Sequence, residues 1–272
     1  MSYKLTCVSG FWEANNKNTG SDSNKYYEWF KISLQINCPY IFFGDSKTIE
    51  KIKLIRKELP THYIEHNMEN FFTNKEEYLN KFVIEKGHIT SKEVNMIYHE
   101  KIFMVKKAIE INPFNSEYFH WIDAGICAYR RKLPPQMQFP KENIYNFLPK
   151  NKFIFSASNP YLSENQFKQL NINENYKHYI AATSFLIHKN IINEIVDKYI
   201  YYLKNREKIY DDQHIYTDIQ RKLPHLFYSL YDTNKLLDSK GYGYVTQYLF
   251  GEINDNKIDL LNNNLKFKLK YI

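Results

Sequence analysis

An α/β fold with one mixed, mostly parallel central sheet flanked by helices is what this sequence predicts, on three observations. Short β-rich runs alternate with helical patterns from the first residues onward, which suits strands joined by helical crossovers. The chain has 272 residues, 43% of them apolar, enough to bury a sizeable core. Its 17% aromatic content argues for a packed globule rather than the disorder that many Asn and Lys residues would otherwise suggest. The 8 Gly and 9 Pro are scattered, with neither a linker-like stretch nor a fixed repeat, so residues 1–272 read as one Rossmann-like domain.

The first strand is expected over Lys4 to Ser9, a helix over Tyr26 to Ile36 and a second strand over Tyr40 to Phe43. A helix over Lys47 to Leu59 carries Ile49, Ile52 and Ile55 at helical spacing, and Pro60 ends it before the strand Thr61 to Glu65. These make an opening β-α-β-α-β unit. The next helix, about Ser91 to Glu110, turns Val94, Ile97, Tyr98, Ile102, Val105 and Ile109 inward by 3.6-residue spacing. Lys101 falls on that inward stripe, so its ammonium must either snorkel to the rim of the core or meet an anion. Lys106 and Lys107 read as solvated charges.

The apolar run Tyr118-Phe119-His120-Trp121-Ile122 then delivers Asp123 into the small-residue turn Ala124-Gly125, a carboxylate placed to hold a metal. In open α/β sheets ligands lie beyond the carboxyl ends of the strands, so Ser9-Gly10-Phe11, Gly44-Asp45 and Asp123-Ala124-Gly125 are expected to converge on one crevice.

Downstream, Phe153 to Ala157 reads as a strand, and Ser163-Glu164-Asn165-Gln166 has the form of a capping box. The strand Tyr179 to His188 leads into the amphipathic helix Ile191 to Leu203. Its small centre, Ala181-Ala182-Thr183-Ser184, suits either close packing or close approach of a ligand to the backbone. Tyr210-Asp211-Asp212-Gln213-His214 opens a helix towards Arg221, where Asp211 fits an N-cap. Asp212 and Gln213 remain on the first turn as candidates for an active-site base and a sugar-hydroxyl partner.

The formal charge of +7, from 37 basic and 30 acidic residues, favours an anionic substrate or surface without naming it. Long basic runs are missing, and the alternation Lys266-Phe267-Lys268-Leu269-Lys270 reads as a solvated strand edge, so nucleic acid is not the expected partner. The first residues lack the layout of a signal peptide, and no apolar run approaches the roughly 20 residues needed to cross a bilayer, so a cytoplasmic location is expected. Cys7, Cys38 and Cys127 are odd in number and far apart, which fits buried free thiols better than a disulfide framework or zinc site. Neither His214 nor His225 has a partner in the sequence that marks it as a metal ligand.

Phe119-His120-Trp121-Ile122-Asp123-Ala124-Gly125, with the Lys101 helix and its Ile111-Asn112-Pro113-Phe114 exit before it, resembles the HtrL/YibB family of bacterial and large-virus proteins. Further similarity lies in Val8-Ser9-Gly10-Phe11-Trp12, in Cys38-Pro39-Tyr40-Ile41-Phe42-Phe43, in Arg56 and in Asp212-Gln213. The resemblance implies a GT-A-like fold and glycosyl transfer from a nucleotide sugar, a UDP-sugar being favoured, to a glycan or other hydroxyl acceptor. A viral member would act in the host cytoplasm. The nucleotide is expected on about residues 1–125 and the acceptor and catalysis on about 126–272.

By the same resemblance Asp123 would hold Mn²⁺ or Mg²⁺, with diphosphate oxygens and water completing its shell. Ser9, Gly10 and Phe11 would border the base and ribose, Asp45 would accept from the nucleoside, and Arg56 and Lys101 would meet phosphate or donor sugar. Ala182 and Thr183 would face that sugar, and Asp212 would be the base, aided by Gln213. The alternative is a GT-A-like module without turnover that binds a nucleotide or glycan. Oligomeric state is not legible.

Overall fold

In a computed structural model the structure describes residues 3–14, 23–85, 89, 91–124, 139–142, 144–157, 180–232, 244–251 and 258–261. Gly125, Cys127, the Ser163 capping box and the Lys266–Lys270 alternation lie outside them. The described strands are β1 (Leu5–Phe11), β2 (Tyr40–Gly44), β3 (Thr61–Glu65), β4 (Tyr118–Ile122), β5 (Phe153–Ala157), β6 (Ile180–His188), β7 (Phe227–Asp232) and β8 (Ile258–Leu261). They form a single sheet in the order β3-β2-β1-β4-β6-β5-β7-β8. β1 to β4, β5 and β7 run one way, and β6 and β8 run against them, which is the mixed, mostly parallel α/β arrangement expected.

β1 is buried along its whole length, as a central strand covered on both faces should be. Its alternate residues feed two cores. Val8, Ile41, Phe43, Phe119, Trp121, Phe153 and Phe185 pack on one face. Leu5, Cys7, Tyr40, Phe42, Tyr118, Ile122, Ile154 and Leu186 pack on the other.

The helices α4 (Lys92–Ile111), α5 (Ile192–Asn205) and α6 (Asp212–Lys222) cover the first face. The helices α1 (Ser23–Ser33), α2 (Ser46–Arg56) and α7 (Tyr244–Phe250) cover the second, and the short helix α3 (Glu76–Leu79) lies in the β3–α4 connection. Among the described residues no helix is long and apolar enough to cross a membrane.

Local chemistry sets the ends of the helix that matters most. Ser91 caps α4 by accepting from Val94 N, and Asn112 closes it in the left-handed region at φ 37° with its N–H on Ala108 O. The inward stripe differs from the expected one: Ile97, Tyr98 and Ile109 are only half-buried, while Met96, His99, Glu100 and Met104 are buried beside Lys101. The reason is that α4 is enclosed on more than one side, by the sheet and by α5, so a single 3.6-residue stripe underestimates its buried arc.

Candidate active site

Parallel pairing sets the site. Phe11 pairs with Gly44 and Val8 with Trp121, so β1, β2 and β4 leave the sheet at one edge. β6 enters at the same edge, because its antiparallel pairing sets Ile122 opposite Ser184. Asp123 N donates to Thr183 O at 2.9 Å and Ser9 Oγ donates to Ile122 O at 2.5 Å, so neighbours on both sides fix the turn that carries the carboxylate.

Lys101 takes the second of its two options and meets anions. Its Nζ lies 3.1 Å from Asp123 Oδ2, 3.1 Å from Asp212 Oδ2 and 3.4 Å from Ala182 O, with the Tyr98 ring centroid 5.0 Å away. Snorkelling is ruled out because the side chain is only 4% exposed. Burial works against its charge, but Asp123 and Asp212 outweigh burial and hold the ammonium above the ordinary lysine range.

The two carboxylates differ. Asp123 is 21% exposed, and Trp121 Nε1 donates to its Oδ1 at 2.6 Å. Asp212 is 3% exposed, and its Oδ2, close as it is to Lys101, receives no aligned hydrogen bond. Burial pushes Asp212 up to about 7 against the pull of Lys101, with Asp211 and Asp123 pushing the same way. One carboxylate therefore faces outward with a donor on each oxygen, while the other is buried and poised near neutrality. Environments that separate two carboxylates in this way separate acid–base from electrostatic roles.

Residues of α4 hold the start of α6 in place. Asn95 Nδ2 donates to Ile209 O at 3.3 Å, and His99 Nε2 donates to Tyr210 O at 2.8 Å while its Nδ1 accepts from the Tyr199 hydroxyl at 2.7 Å. Burial pushes His99 down to about 4, so the ring is neutral and this pairing uses one N–H and one lone pair. Asp211 is the N-cap, accepting from His214 N at 3.3 Å and from His214 Nδ1 at 2.6 Å. Gln213 Nε2 donates to Asp211 Oδ2 at 2.9 Å, and its Oε1 accepts from Ala182 N at 3.4 Å. One N–H and one carbonyl lone pair of Gln213 remain for a ligand hydroxyl.

The expected donor-side residues divide. Ala182 and Thr183 reach the site through their backbone carbonyls, on Lys101 and on Asp123 N. Ser9 supports it through Ile122. Asp45 caps α2 by accepting from Thr48 N at 2.7 Å, and Phe11 packs on Tyr27 and Phe30. Gly10 is required by packing: a Cβ there would stand 2.7 Å from the Trp12 ring and 3.3 Å from Met104 Sδ. Gly10→Ala is expected to cost about 1–3 kcal/mol of stability by overpacking, read by urea denaturation.

Arg56 is a correction. Its Nε donates to Thr61 Oγ1, Nη1 to Leu34 O and Ile36 O, and Nη2 to Cys38 O and Pro60 O. All five donors are committed, and the residue lies at the amino ends of β2 and β3, away from the edge where Asp123 sits. It is a buried clamp with no donor left for a phosphate.

Asp123 is the side chain at this edge that could hold a hard divalent ion. Each oxygen of that partly exposed carboxylate accepts one donor and keeps a lone pair. Among the described residues no group of three or more His, Cys, Asp and Glu side chains is placed to hold a metal. Sequence reasoning missed Asn95, His99 and the Trp121 N–H on Asp123. The sequence signal for the last was Trp121 itself, two residues from the acid and so on the same side of an extended chain.

No curated protein matches the chain. Mouse xyloside xylosyltransferase 1, in its apo form, is similar at 15% identity, with 97% of this chain and 99% of that chain covered and a TM-score of 0.46. Core-mannan synthase A from Aspergillus fumigatus, in its Mn/GDP form, is similar at 13% identity, with 84% and 72% covered and a TM-score of 0.46. The 4-diphosphocytidyl-2C-methyl-D-erythritol synthase from Anaerococcus prevotii follows at 12% identity, 89% and 96% coverage and 0.41. Family membership rests on the sequence: residues 60–238, which include α4 with Lys101, the Asp123 turn, β6 and Asp212, match the family described as "Bacterial protein of unknown function (HtrL_YibB)", and the chain belongs to that family.

Proposed function

We propose that this chain is a GT-A-like glycosyltransferase that moves a sugar from a nucleotide donor, a UDP-sugar being favoured, to a hydroxyl of a glycan or similar acceptor. One domain does this, with about residues 1–125 holding the nucleotide and about 126–272 carrying acceptor and base. The observation that carries the reading is the Asp123–Lys101–Asp212 arrangement at the carboxyl edge of the sheet, one outward carboxylate and one buried carboxylate bracketing an ammonium.

Asp123 would hold Mn²⁺ or Mg²⁺, whose bound charge would offset the charge developing on a departing nucleoside diphosphate. Ser9, Gly10 and Phe11 border the base and ribose, Asp45 offers its second oxygen to the nucleoside, and Ala182 and Thr183 face the donor sugar. Lys101 adds a fixed positive charge near the phosphates. Asp212, pushed up to about 7, takes the proton of the acceptor hydroxyl, a role that suits inversion, and Gln213 orients that hydroxyl. Nucleic acid has no part in this reading.

The test is a panel of UDP-, GDP- and dTDP-sugars with Mn²⁺. Metal-dependent hydrolysis or transfer is expected with at least one donor, and Asp123→Ala should lower it at least about 100-fold while circular dichroism stays unchanged. Absence of any nucleotide binding across the panel would reject the reading. A second reading, a module without turnover that binds a nucleotide or glycan, is favoured by the engagement of Lys101 with Asp123, Asp212 and Ala182 O within the fold. It predicts a nucleotide-induced thermal shift with no turnover, insensitive to Asp212→Ala.

A further inference from the structure

We infer that Lys101 is an internal counter-cation that occupies Asp123 in the donor-free protein, so that metal and donor diphosphate load together. The inference rests on the donor-binding reading above and adds an order to it. Its basis is a conflict of charges within a few ångströms. Asp123 Oδ2, an oxygen that a divalent ion would use, already accepts from Lys101 Nζ at 3.1 Å. The same ammonium lies 3.1 Å from Asp212 Oδ2, and that oxygen has no aligned hydrogen bond although it is buried.

The ammonium thus has a second carboxylate within reach, and that carboxylate has capacity to spare. A divalent ion arriving alone at Asp123 would meet a positive charge that cannot leave for water, because Lys101 is 4% exposed and α4 is packed on the sheet. A diphosphate brings negative charge that attracts both cations. With it present, the ammonium can settle on Asp212 and phosphate while the metal takes Asp123. Coupling of this kind is reciprocal: whatever factor the nucleotide adds to metal affinity, the metal adds to nucleotide affinity.

The test measures Mn²⁺ binding, read by the loss of the free-ion electron paramagnetic resonance signal, with Mn²⁺ alone and with UDP or GDP. In the wild-type protein, affinity is expected to rise by about tenfold or more when nucleotide is present. The decisive variant is K101M/D212N, which removes the ammonium and its buried partner together. It leaves no lone buried charge and, measured at a pH above about 7 where Asp212 is ionised, keeps the net charge of the wild type, so a general field effect is controlled. Its nucleotide-free Mn²⁺ affinity is expected to exceed that of the wild type by about tenfold, with the nucleotide effect correspondingly reduced.

Equal Mn²⁺ affinity in wild type and K101M/D212N overturns the inference and leaves glycosyl transfer standing. So does a wild type that binds Mn²⁺ equally well with and without nucleotide, a result that does not depend on the variant folding. A wild type that binds neither nucleotide nor Mn²⁺, separately or together, removes the donor-binding reading and this inference with it.

Discussion

Asp212→Asn is expected to lower kcat for transfer by about 10²–10⁴-fold with little change in donor KM, because the amide keeps the size of the side chain but cannot take a proton. The wild-type rate should rise with pH through about 7 and then level, since the ionised carboxylate is the active form and burial has pushed Asp212 up to about 7. The variant should lose that limb. A rate that falls as pH rises through 7, or a variant with wild-type kcat, would remove Asp212 from the role of base.

The same shift has a consequence for stability, with the sign opposite to that of a carboxylate whose ion pair outweighs its burial. Folded Asp212 holds its proton up to about 7, whereas an ordinary aspartate releases it near 3.8. Between those values the folded chain binds more protons than the unfolded one. The contribution of this group therefore falls as pH rises through the window, and its penalty is complete above about 7. Urea titrations of wild type and Asp212→Asn should show a shallower pH dependence in the variant between about 4 and 7.

Arg56→Met is expected to destabilise the fold by about 3–5 kcal/mol, measured by urea denaturation. The guanidinium donates to the carbonyls of Leu34, Ile36, Cys38 and Pro60, and the substitution removes all four of those bonds, leaving Ile36 O and Pro60 O with only the backbone N–H groups of Cys38 and Tyr40. Arg56→Lys keeps the charge but has three donors in place of a five-donor fork, so an intermediate loss follows. Nucleotide affinity per folded molecule should stay at the wild-type value in both. Weakened nucleotide binding with unchanged stability would reinstate a phosphate role for Arg56.

Arg56 and Lys101 show what a sequence can and cannot say about a buried cation. Both were legible as positive residues near apolar segments, and helical spacing placed Lys101 inward correctly. Spacing gave no partner for either. Lys101 found carboxylates 22 and 111 positions further along the chain, and Arg56 found backbone carbonyls at the ends of neighbouring segments. Those partners are contributed by the parallel pairing of β1 with β2 and β4 and by the antiparallel entry of β6, which one-dimensional periodicity does not encode. His99 was missed for a related reason: as a neutral ring its value lies in bridging Tyr199 and Tyr210, which are 100 and 111 positions away.

The sequence by itself determined the strand–helix alternation, the cap Asp211, and the delivery of Asp123 to the end of an apolar strand, because each depends on neighbours within a few residues. Only the tertiary structure decided that Asp123 and Asp212 share one ammonium and that burial separates their chemistry. It also decided that Arg56 is a clamp at the opposite end of the sheet. Desolvation and charge pairing act through space and depend on which segments exclude water together, and that is settled by the packing of α4 and α6 against β4 and β6.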